Sequence, residues 1–282
     1  MRDLLKRLRL LALALVRIAR RRARLVFNRL GKKRQCYVCG KRFNHFTKYG
    51  EGRKKIPEFR LKLMIVGSDV DNFGCMYCGS HDRERHLYMF FDKLRLWDAV
   101  RASRVLHFAP EKHLRSRITG LGPAKYTAAD LFPRDEQTER IDVTDLPFDD
   151  ESYDFVVCNH VLEHVKEYRT ALSEIYRVLS PNGLAVLQTP VSRLLTRNFE
   201  DDGIDSDTLR LYFYGERAHC RVFSEKHLFE DMMHTGFRLD VAKNGYYFTD
   251  SECRYYGVNG EEDLILLRKG KATPAAGSAL TT

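Results

Sequence analysis

From residue 104 to residue 268, short apolar runs alternate with segments in which apolar positions recur every three or four residues. The runs predict β-strands, and the longer spacing predicts amphipathic helices. Strands are predicted at 104–109, 125–130, 138–142, 153–158, 183–188, 238–243 and 262–268, and helices near 111–118, 167–179 and 224–235. This alternation predicts an α/β fold with a mostly parallel sheet covered by helices.

The ends of these elements carry their own signals. Ser224 is placed to cap the helix that follows it, and Pro181-Asn182-Gly183 is expected to stop the preceding one. Residues 191–219 are polar and aromatic without a clear period, and so long an insertion in a compact domain is more often functional than idle. A linker helix is predicted over 81–103, with an aromatic stripe that packs on the main domain.

The basic charge is concentrated at the start of the chain. Residues 1–34 contain 13 Lys or Arg and one acid, whereas the remaining 248 residues carry a net charge of −2. The spacing predicts a basic amphipathic helix that lies on an anionic membrane surface, packs on a partner or is solvated. A mitochondrial or secretory leader fits less well. Since the rest of the chain is nearly neutral, composition gives no reason to expect nucleic acid as a partner.

Four of the seven cysteines form two Cys-x-x-Cys pairs, "CYVCGK" and "CMYCGS". Two such pairs predict one structural, tetrahedral Zn²⁺ site with the ligands Cys36, Cys39, Cys75 and Cys78. Core cysteines, a redox pair, or a histidine in place of one thiol remain alternatives. The number of cysteines, seven, is odd, and their spacing is not that of a secreted disulfide scaffold. Both observations favour a cytoplasmic protein.

The first predicted strand runs into "HFAPE", a turn without glycine, where α/β proteins that bind nucleotides usually have a glycine-rich loop. Asp130 ends the next strand and is placed to accept hydrogen bonds from ribose hydroxyls. Asp142 follows the third strand and is placed near an adenine amino group, with Val143 against the ring. These positions predict a nucleoside-like cofactor.

Residues 104–270 resemble class I S-adenosylmethionine-dependent methyltransferases of the type 11-like group, most densely at 140–190. The likeness lies in "DVTDLPFDDESYDFVVCNHVLEHV", "ALSEIYRVLSPNGLAVLQTP" and "RVFSEKHLFEDMMHTGF". It implies a Rossmann-like sheet of seven strands, the last antiparallel, with helices on both faces. The chain departs from the family's acid-x-Gly-x-Gly turn, and it is similar to a subset in which a cysteine-knuckle segment precedes an "APE" turn.

The resemblance implies a set of site residues. Those expected at the cofactor are His107, Ala109, Glu111, Asp130, Leu131, Asp142, Val143 and Asn159. Those expected in catalysis are His160 as a base, His219, and Arg221 as a holder of an acceptor carboxylate or phosphate. Glu163 and His164 are either functional or merely cap or pair within a helix. Tyr212, Phe213 and Tyr214 are expected either to line the acceptor pocket or to pack in the core.

These features predict an enzyme that transfers a methyl group from S-adenosylmethionine to a small-molecule, saccharide or lipid-linked acceptor, in the cytoplasm or peripherally at a membrane. The alternatives are a zinc-containing scaffold on a degenerate methyltransferase fold and a nucleic-acid methyltransferase. The predicted organisation is a basic helix (1–34), a zinc module (35–80), a linker helix (81–103), the methyltransferase domain (104–270) and a disordered tail (271–282).

Overall fold

The computed structural model describes residues 26–270, together with Val16 and Ala23. Most of the predicted basic helix and the whole predicted tail therefore lie outside the described residues. Within the described part of the chain, no helix has both the length and the apolar character that a membrane span requires.

Strands and helices alternate along most of the described chain. The strands are β1 (Arg34–Gln35), β2 (Arg42–Phe43), β3 (Ile65–Val66), β4 (Arg104–Phe108), β5 (Lys125–Asp130), β6 (Glu139–Arg140), β7 (Tyr153–Asn159), β8 (Leu179–Gln188), β9 (Val191–Ser192), β10 (Phe223–Ser224), β11 (Phe237–Ala242) and β12 (Leu264–Lys269). The helices are α1 (26–30), α2 (Glu58–Lys62), α3 (Asp82–Lys93), α4 (Leu96–Val100), α5 (Lys112–Gly120), α6 (Tyr168–Val178), α7 (Asp207–Phe213), α8 (Glu225–His234), α9 (Asn244–Tyr247) and α10 (Asp250–Tyr256). Gly52–Lys55 and Leu162–His164 form 3₁₀ turns.

Seven strands form the main sheet in the order β11-β12-β8-β7-β4-β5-β6. Strand β12 is antiparallel to both of its neighbours, and the other pairs are parallel. The predicted seven-stranded Rossmann-like α/β fold is therefore confirmed. Because β4, β5 and β7 are parallel neighbours, their carboxyl ends meet at one edge of the sheet, where such folds bind ligands.

Both faces of the sheet are covered. Helices α6 and α8 lie on one face, and α3, α4 and α5 lie on the other. Successive residues of a strand point to opposite faces, so Leu106 and Val156 enter one apolar cluster while Val105 and Val157 enter the other. All four side chains are fully buried, which explains why these strands read as continuous apolar runs.

Two elements differ most from their predicted extents, and the bounds of the other elements predicted from residue 104 onward agree within two residues at either end. Strand β8 begins at Leu179 rather than at residue 183, and Pro181-Asn182-Gly183 forms a bulge inside it, because Pro181 cannot donate a ladder hydrogen bond. The linker helix is two helices, α3 and α4, because Arg95 between them has a φ of 57°. Its aromatic stripe is buried against the sheet as predicted. Ser224 caps α8 as predicted, accepting a hydrogen bond from the backbone of His227.

The segment between the two cysteine pairs packs on the 191–219 insertion. Strands β10, β9 and β3 form a three-stranded sheet in which β3 is antiparallel to β9. The ring of Phe59, in α2, contacts the rings of Tyr212 and Phe213 in α7, at centroid distances of 5.2 and 5.7 Å. Two loops that are far apart in sequence thus form one wall above the main sheet.

Arg85, in α3, joins the cysteine region to the sheet domain. It is fully buried, and its guanidinium donates hydrogen bonds to five backbone carbonyls, those of Asn72, Phe73, Ser80, Tyr256 and Gly257. The same guanidinium lies 4.0 Å from the ring centroid of Phe46. Three separate stretches of chain therefore converge on one side chain.

We expect Arg85→Met to lower the free energy of unfolding by about 3 kcal/mol, because it leaves buried carbonyls without donors. Urea unfolding followed by circular dichroism measures this difference. Arg101→Met, at an exposed position at the end of α4, is the matched control. Equal unfolding midpoints for the two variants would show that Arg85 does not hold these segments together.

Candidate functional site

The turn after β4 has the backbone shape of a glycine turn without the glycine. Ala109 has a φ of 44°, in the left-handed region that glycine usually occupies. Its amide donates a hydrogen bond of 2.8 Å to the carbonyl of Ala129 in β5, which fixes the turn against the neighbouring strand. Ala109 is exposed, so its small methyl group leaves the backbone accessible to a ligand at the sheet edge.

A buried network lies behind this turn. His107 is fully buried, with Nδ1 3.0 Å from the Tyr126 hydroxyl and Nε2 2.8 Å from Glu111 Oε2. Burial raises the pKa of Glu111, but the hydrogen bond and charge of His107 outweigh it, so the net pKa is lowered and the group stays a carboxylate. In this geometry the hydrogen bond from His107 fixes the position of the Glu111 carboxylate.

Asn159, the last residue of β7, extends the network. Its Nδ2 donates a hydrogen bond of 3.3 Å to Glu111 Oε1. Its Oδ1 is buried and has no hydrogen-bond partner within the described part of the chain. A buried amide oxygen without a partner is costly, so it marks a place for a ligand donor.

Asp130 ends β5, and Asp142 follows β6 by two residues. Each uses Oδ1 to hold its own turn: Asp130 accepts from the backbone of Phe132, and Asp142 accepts from the backbone and hydroxyl of Thr144. Among residues 26–270, hydrogen bonds reach only Oδ1 of either carboxylate, which leaves Oδ2 for a ligand. Leu131 is partly exposed at the same edge.

The structure brings Ala109, Glu111, Asp130 and Asn159 to one edge and places Asp142 one strand further out. Val143 is 5% exposed and packs in the core beneath the sheet. Its predicted contact with an adenine ring stays a prediction.

His160 follows β7 in an unusual conformation. Its φ is 53°, and its amide donates to the carbonyl of Gln188 at 2.6 Å. Its Nδ1 lies 3.1 Å from Glu163 Oε1, and since a carboxylate only accepts, Nδ1 carries the proton. Its Nε2 is buried and has no partner among residues 26–270. Left-handed conformations of residues other than glycine cluster at functional sites.

Glu163 orients this histidine. Its side chain is almost fully buried, and the Thr189 hydroxyl donates to Oε2 at 2.8 Å. Burial raises its pKa, but the hydrogen bond from His160 and the nearby histidines lower it to about 2, so Glu163 stays ionised. The His-x-x-Glu spacing is the sequence signal for the His160–Glu163 pair. From the sequence alone, Glu163 is either functional or merely caps or pairs within a helix.

His219 and Arg221 lie beside the same turn. The rings of His219 and His164 are 4.7 Å apart at 82°, and burial lowers the pKa of His219 to about 4. Arg221 is 4% exposed. Each of its guanidinium nitrogens already donates to the protein, with acceptors on Leu162, Val165, Lys166 and Glu200. In this geometry Arg221 fixes the position of the 162–166 segment.

A cleft of about 850 Å³ opens between this turn and the wall of inserted loops. His160, Glu163, His164 and His219 line it, and so do five arginines, Arg53, Arg60, Arg83, Arg193 and Arg221. Arg193 and Arg221 form ion pairs with acids of the protein. Tyr214 also lines the cleft, whereas Tyr212 and Phe213 pack against Phe59.

The four predicted cysteines come together. The Sγ atoms of Cys36 and Cys78 are 3.7 Å apart, and those of Cys39 and Cys75 are 3.8 Å apart. All four lie within 4.8 Å of one another. Gly40 and Gly79, which follow the two pairs, have φ values of 68° and 78°. These two turns need glycine, because a side chain disfavours that conformation.

Comparisons with known proteins bear on the family to which this chain belongs. A family model described as a methyltransferase domain matches residues 81–241. Demethylmenaquinone methyltransferase of Clavibacter sepedonicus is 41% identical over 117 residues, 36% of this chain and 48% of that protein. The Listeria monocytogenes protein of the same name is 35% identical over 105 residues, 33% of this chain and 40% of that one. The chain thus covers less than half the length of these curated relatives.

A solved S-adenosylmethionine-dependent methyltransferase from Mesorhizobium loti is 15% identical, with a TM-score of 0.45 over 64% of this chain and 98% of that one. The family match covers more than half of the 282 residues and most of the seven-stranded sheet. The chain therefore belongs to the methyltransferase domain family, the class I S-adenosylmethionine-dependent methyltransferases.

Proposed function

We propose that this protein transfers a methyl group from S-adenosylmethionine to a hydroxyl oxygen of a small, anionic acceptor, with saccharides and their lipid-linked forms as the first class to test. The observation that carries the proposal is His160, which directly follows β7, lines the 850 Å³ cleft and has a buried Nε2 without a hydrogen-bond partner among residues 26–270. A base in that position suits an acceptor that must lose a proton.

The residues at the sheet edge fit the cofactor. Asn159 Oδ1 and the carboxylate of Glu111 supply acceptors for an ammonium group, and Asp130 Oδ2 supplies one for ribose hydroxyls. The open turn at Ala109 admits close backbone approach. When bound, S-adenosylmethionine supplies an electrophilic methyl group on a positively charged sulfur.

The side chains of the cleft then have distinct tasks. His160 Nε2 accepts the proton of the acceptor hydroxyl while that oxygen forms the new bond to carbon and the sulfur–methyl bond breaks. The proton ends on His160, and the carboxylate of Glu163, 3.1 Å from Nδ1, stabilises the imidazolium. The inserted wall excludes water and aligns the acceptor for in-line attack.

The arginines of the cleft support an anionic acceptor. Arg60 and Arg83 form no ion pair with any acid among residues 26–270, and Arg60 Nε is buried without a partner there. Guanidinium groups left in this state suit carboxylate or phosphate. The relatives' name specifies demethylmenaquinone as the molecule acted on, which supports a small-molecule acceptor for this chain.

We also infer that the four cysteines bind Zn²⁺. Four sulfurs about 2.3 Å from a tetrahedral zinc are about 3.8 Å apart, which agrees with the observed 3.7 and 3.8 Å. The residues between the pairs include α2 and β3, which form part of the cleft wall. On this proposal residues 35–80 are a zinc module that shapes the acceptor site, followed by the linker helices and the methyltransferase domain at 104–270.

Cofactor binding is tested by calorimetry with S-adenosylmethionine. We expect Asp130→Asn to weaken binding roughly 10- to 100-fold, because it removes a charged acceptor for the ribose hydroxyls. Asp149→Asn, at an exposed position after the next strand, is the matched control and should bind like the unaltered chain. No measurable binding by the unaltered chain would instead favour the scaffold alternative.

The acceptor class is tested with cofactor that carries a labelled methyl group. We expect purified protein to transfer label to anionic saccharide or lipid-linked saccharide fractions of a cell extract. Label found only in RNA would favour the nucleic-acid alternative and contradict the proposed acceptor.

A further inference from the structure

Three residues of the cleft come from two stretches of chain that the fold holds firmly together. Glu163 and His164 lie in the turn after β7, and His219 lies at the end of the inserted loop. The backbone amide of Cys220 donates to the carbonyl of Glu163 at 2.8 Å, and Arg221 clamps the carbonyls just beyond His164. The approach of His219 to the turn is therefore fixed by the backbone.

The side chains of these three residues converge. One ligand atom from each of Glu163, His164 and His219 lies within 4.8 Å of the other two. The imidazole rings are nearly perpendicular, at 82°, with centroids 4.7 Å apart. The Glu163 carboxylate is held in place by His160 and Thr189, and each of its oxygens keeps a lone pair free.

Two imidazoles and one carboxylate form a ligand set that divalent transition metals prefer. Three protein ligands leave coordination positions open, which distinguishes this set from the closed cysteine cluster. All three residues line the 850 Å³ cleft, so the open positions face the acceptor space. His160, whose Nε2 has no partner among residues 26–270, lines the same space.

We propose that Glu163, His164 and His219 bind one divalent transition-metal ion, such as Zn²⁺ or Mn²⁺, whose open positions take oxygen ligands of the acceptor. Vicinal hydroxyls, carboxylates and phosphates share this chemistry. The role given to the acceptor rests on the function proposed above, whereas the metal site depends only on these three side chains.

The site is tested in the whole chain, with zinc bound to the cysteine cluster. A weak chelator first removes loosely bound metal, and metal analysis then verifies that one zinc per chain remains. Mn²⁺ is then titrated and followed by electron paramagnetic resonance. We expect one bound Mn²⁺ per chain, and at least about tenfold weaker binding in His164→Ala and His219→Ala, since loss of a residue that only supports a ligand already costs 10–100-fold.

His164 is exposed, so His164→Ala keeps the fold, and His234→Ala, an exposed histidine at the end of α8, is the matched control. No Mn²⁺ binding by the unaltered chain, or equal binding by His164→Ala and His234→Ala, would overturn the metal site. Calorimetry with S-adenosylmethionine on the same samples separates the two proposals. Cofactor binding without Mn²⁺ binding rejects only the metal, whereas loss of cofactor binding rejects the proposed function.

Discussion

His160→Asn is expected to slow methyl transfer by about 10²- to 10⁴-fold while leaving the affinity for S-adenosylmethionine unchanged. The reason is that His160, whose Nε2 has no hydrogen-bond partner among residues 26–270, is the proposed base, whereas the proposed cofactor contacts come from Asn159, Glu111 and Asp130. Asparagine tolerates the left-handed φ of 53°, so the backbone keeps its course. Single-turnover transfer of a labelled methyl group measures the rate, and calorimetry measures cofactor binding.

The matched control is His45→Asn, a histidine exposed in the cysteine region and away from the cleft. A base acts on kcat, so acceptor KM should change little in His160→Asn. Retention of the full rate would exclude His160 as the base. If His160→Asn lost cofactor affinity and rate to the same degree, His160 would belong to the cofactor site instead.

The sheet was predictable because its strands are buried on both faces. Such strands appear in sequence as apolar runs between turn residues, and the observed bounds of β4, β5 and β7 differ from the prediction by at most one residue at either end. Helix α7 was not predicted, and it buries none of its residues. Without a buried face there is no apolar period to detect. Its polar start is held by Ser206, whose side chain accepts a hydrogen bond from the backbone of Leu209.

The proposed cofactor site at the carboxyl ends of β4, β5 and β7 was predictable in part for a related reason. Asp130 ends β5 and Asp142 lies two residues after β6, so both acids stand out in the sequence at the predicted carboxyl ends of strands. The role of His107 as the buried support of Glu111 was not visible, because it depends on which face of β4 the ring occupies. The glycine-free turn also needed the structure, since only the φ of Ala109 shows that alanine adopts the glycine conformation there.

The histidine cluster required contacts that no local pattern reveals. His164 and His219 are separated by the 191–219 insertion and meet only because Arg221 and Cys220 tie its end to the turn after β7. The sequence alone favours His219 and Arg221 for contact with an acceptor. Both residues line the cleft, and in addition Arg221 donates hydrogen bonds that hold the turn after β7.

The long segment between the two cysteine pairs forms part of the same cleft. The residues from Gly40 to Gly74 exceed the usual spacing of a zinc ribbon, and they supply α2, β3 and the cleft arginines Arg53 and Arg60. Both ends of this segment are anchored at the four sulfurs. A metal bound by the four cysteines would therefore fix both ends of this wall of the cleft.

Cys39→Ser is expected to remove one equivalent of zinc and to lower the melting temperature by roughly 6–12 °C, which corresponds to about 3 kcal/mol for a chain of this size. Acceptor KM should rise more than the cofactor dissociation constant, because β4, β5 and β7 lie outside the cysteine segment. Metal analysis by mass spectrometry, scanning calorimetry and steady-state kinetics measure the three effects.

Cys220→Ser is the matched control, because it changes a half-buried cysteine outside the cluster. The Cys220 thiol donates to the His164 carbonyl, and the serine hydroxyl can donate in its place. Cys220→Ser should retain the zinc and the melting temperature of the unaltered chain. If Cys39→Ser kept its zinc, the four-cysteine site would be rejected. A wall released at both anchors would move Arg53 and Arg60, which line the cleft together with the histidines, and acceptor KM would then change. If Cys39→Ser lost zinc while acceptor KM stayed constant, the cluster would stabilise the fold without shaping the cleft.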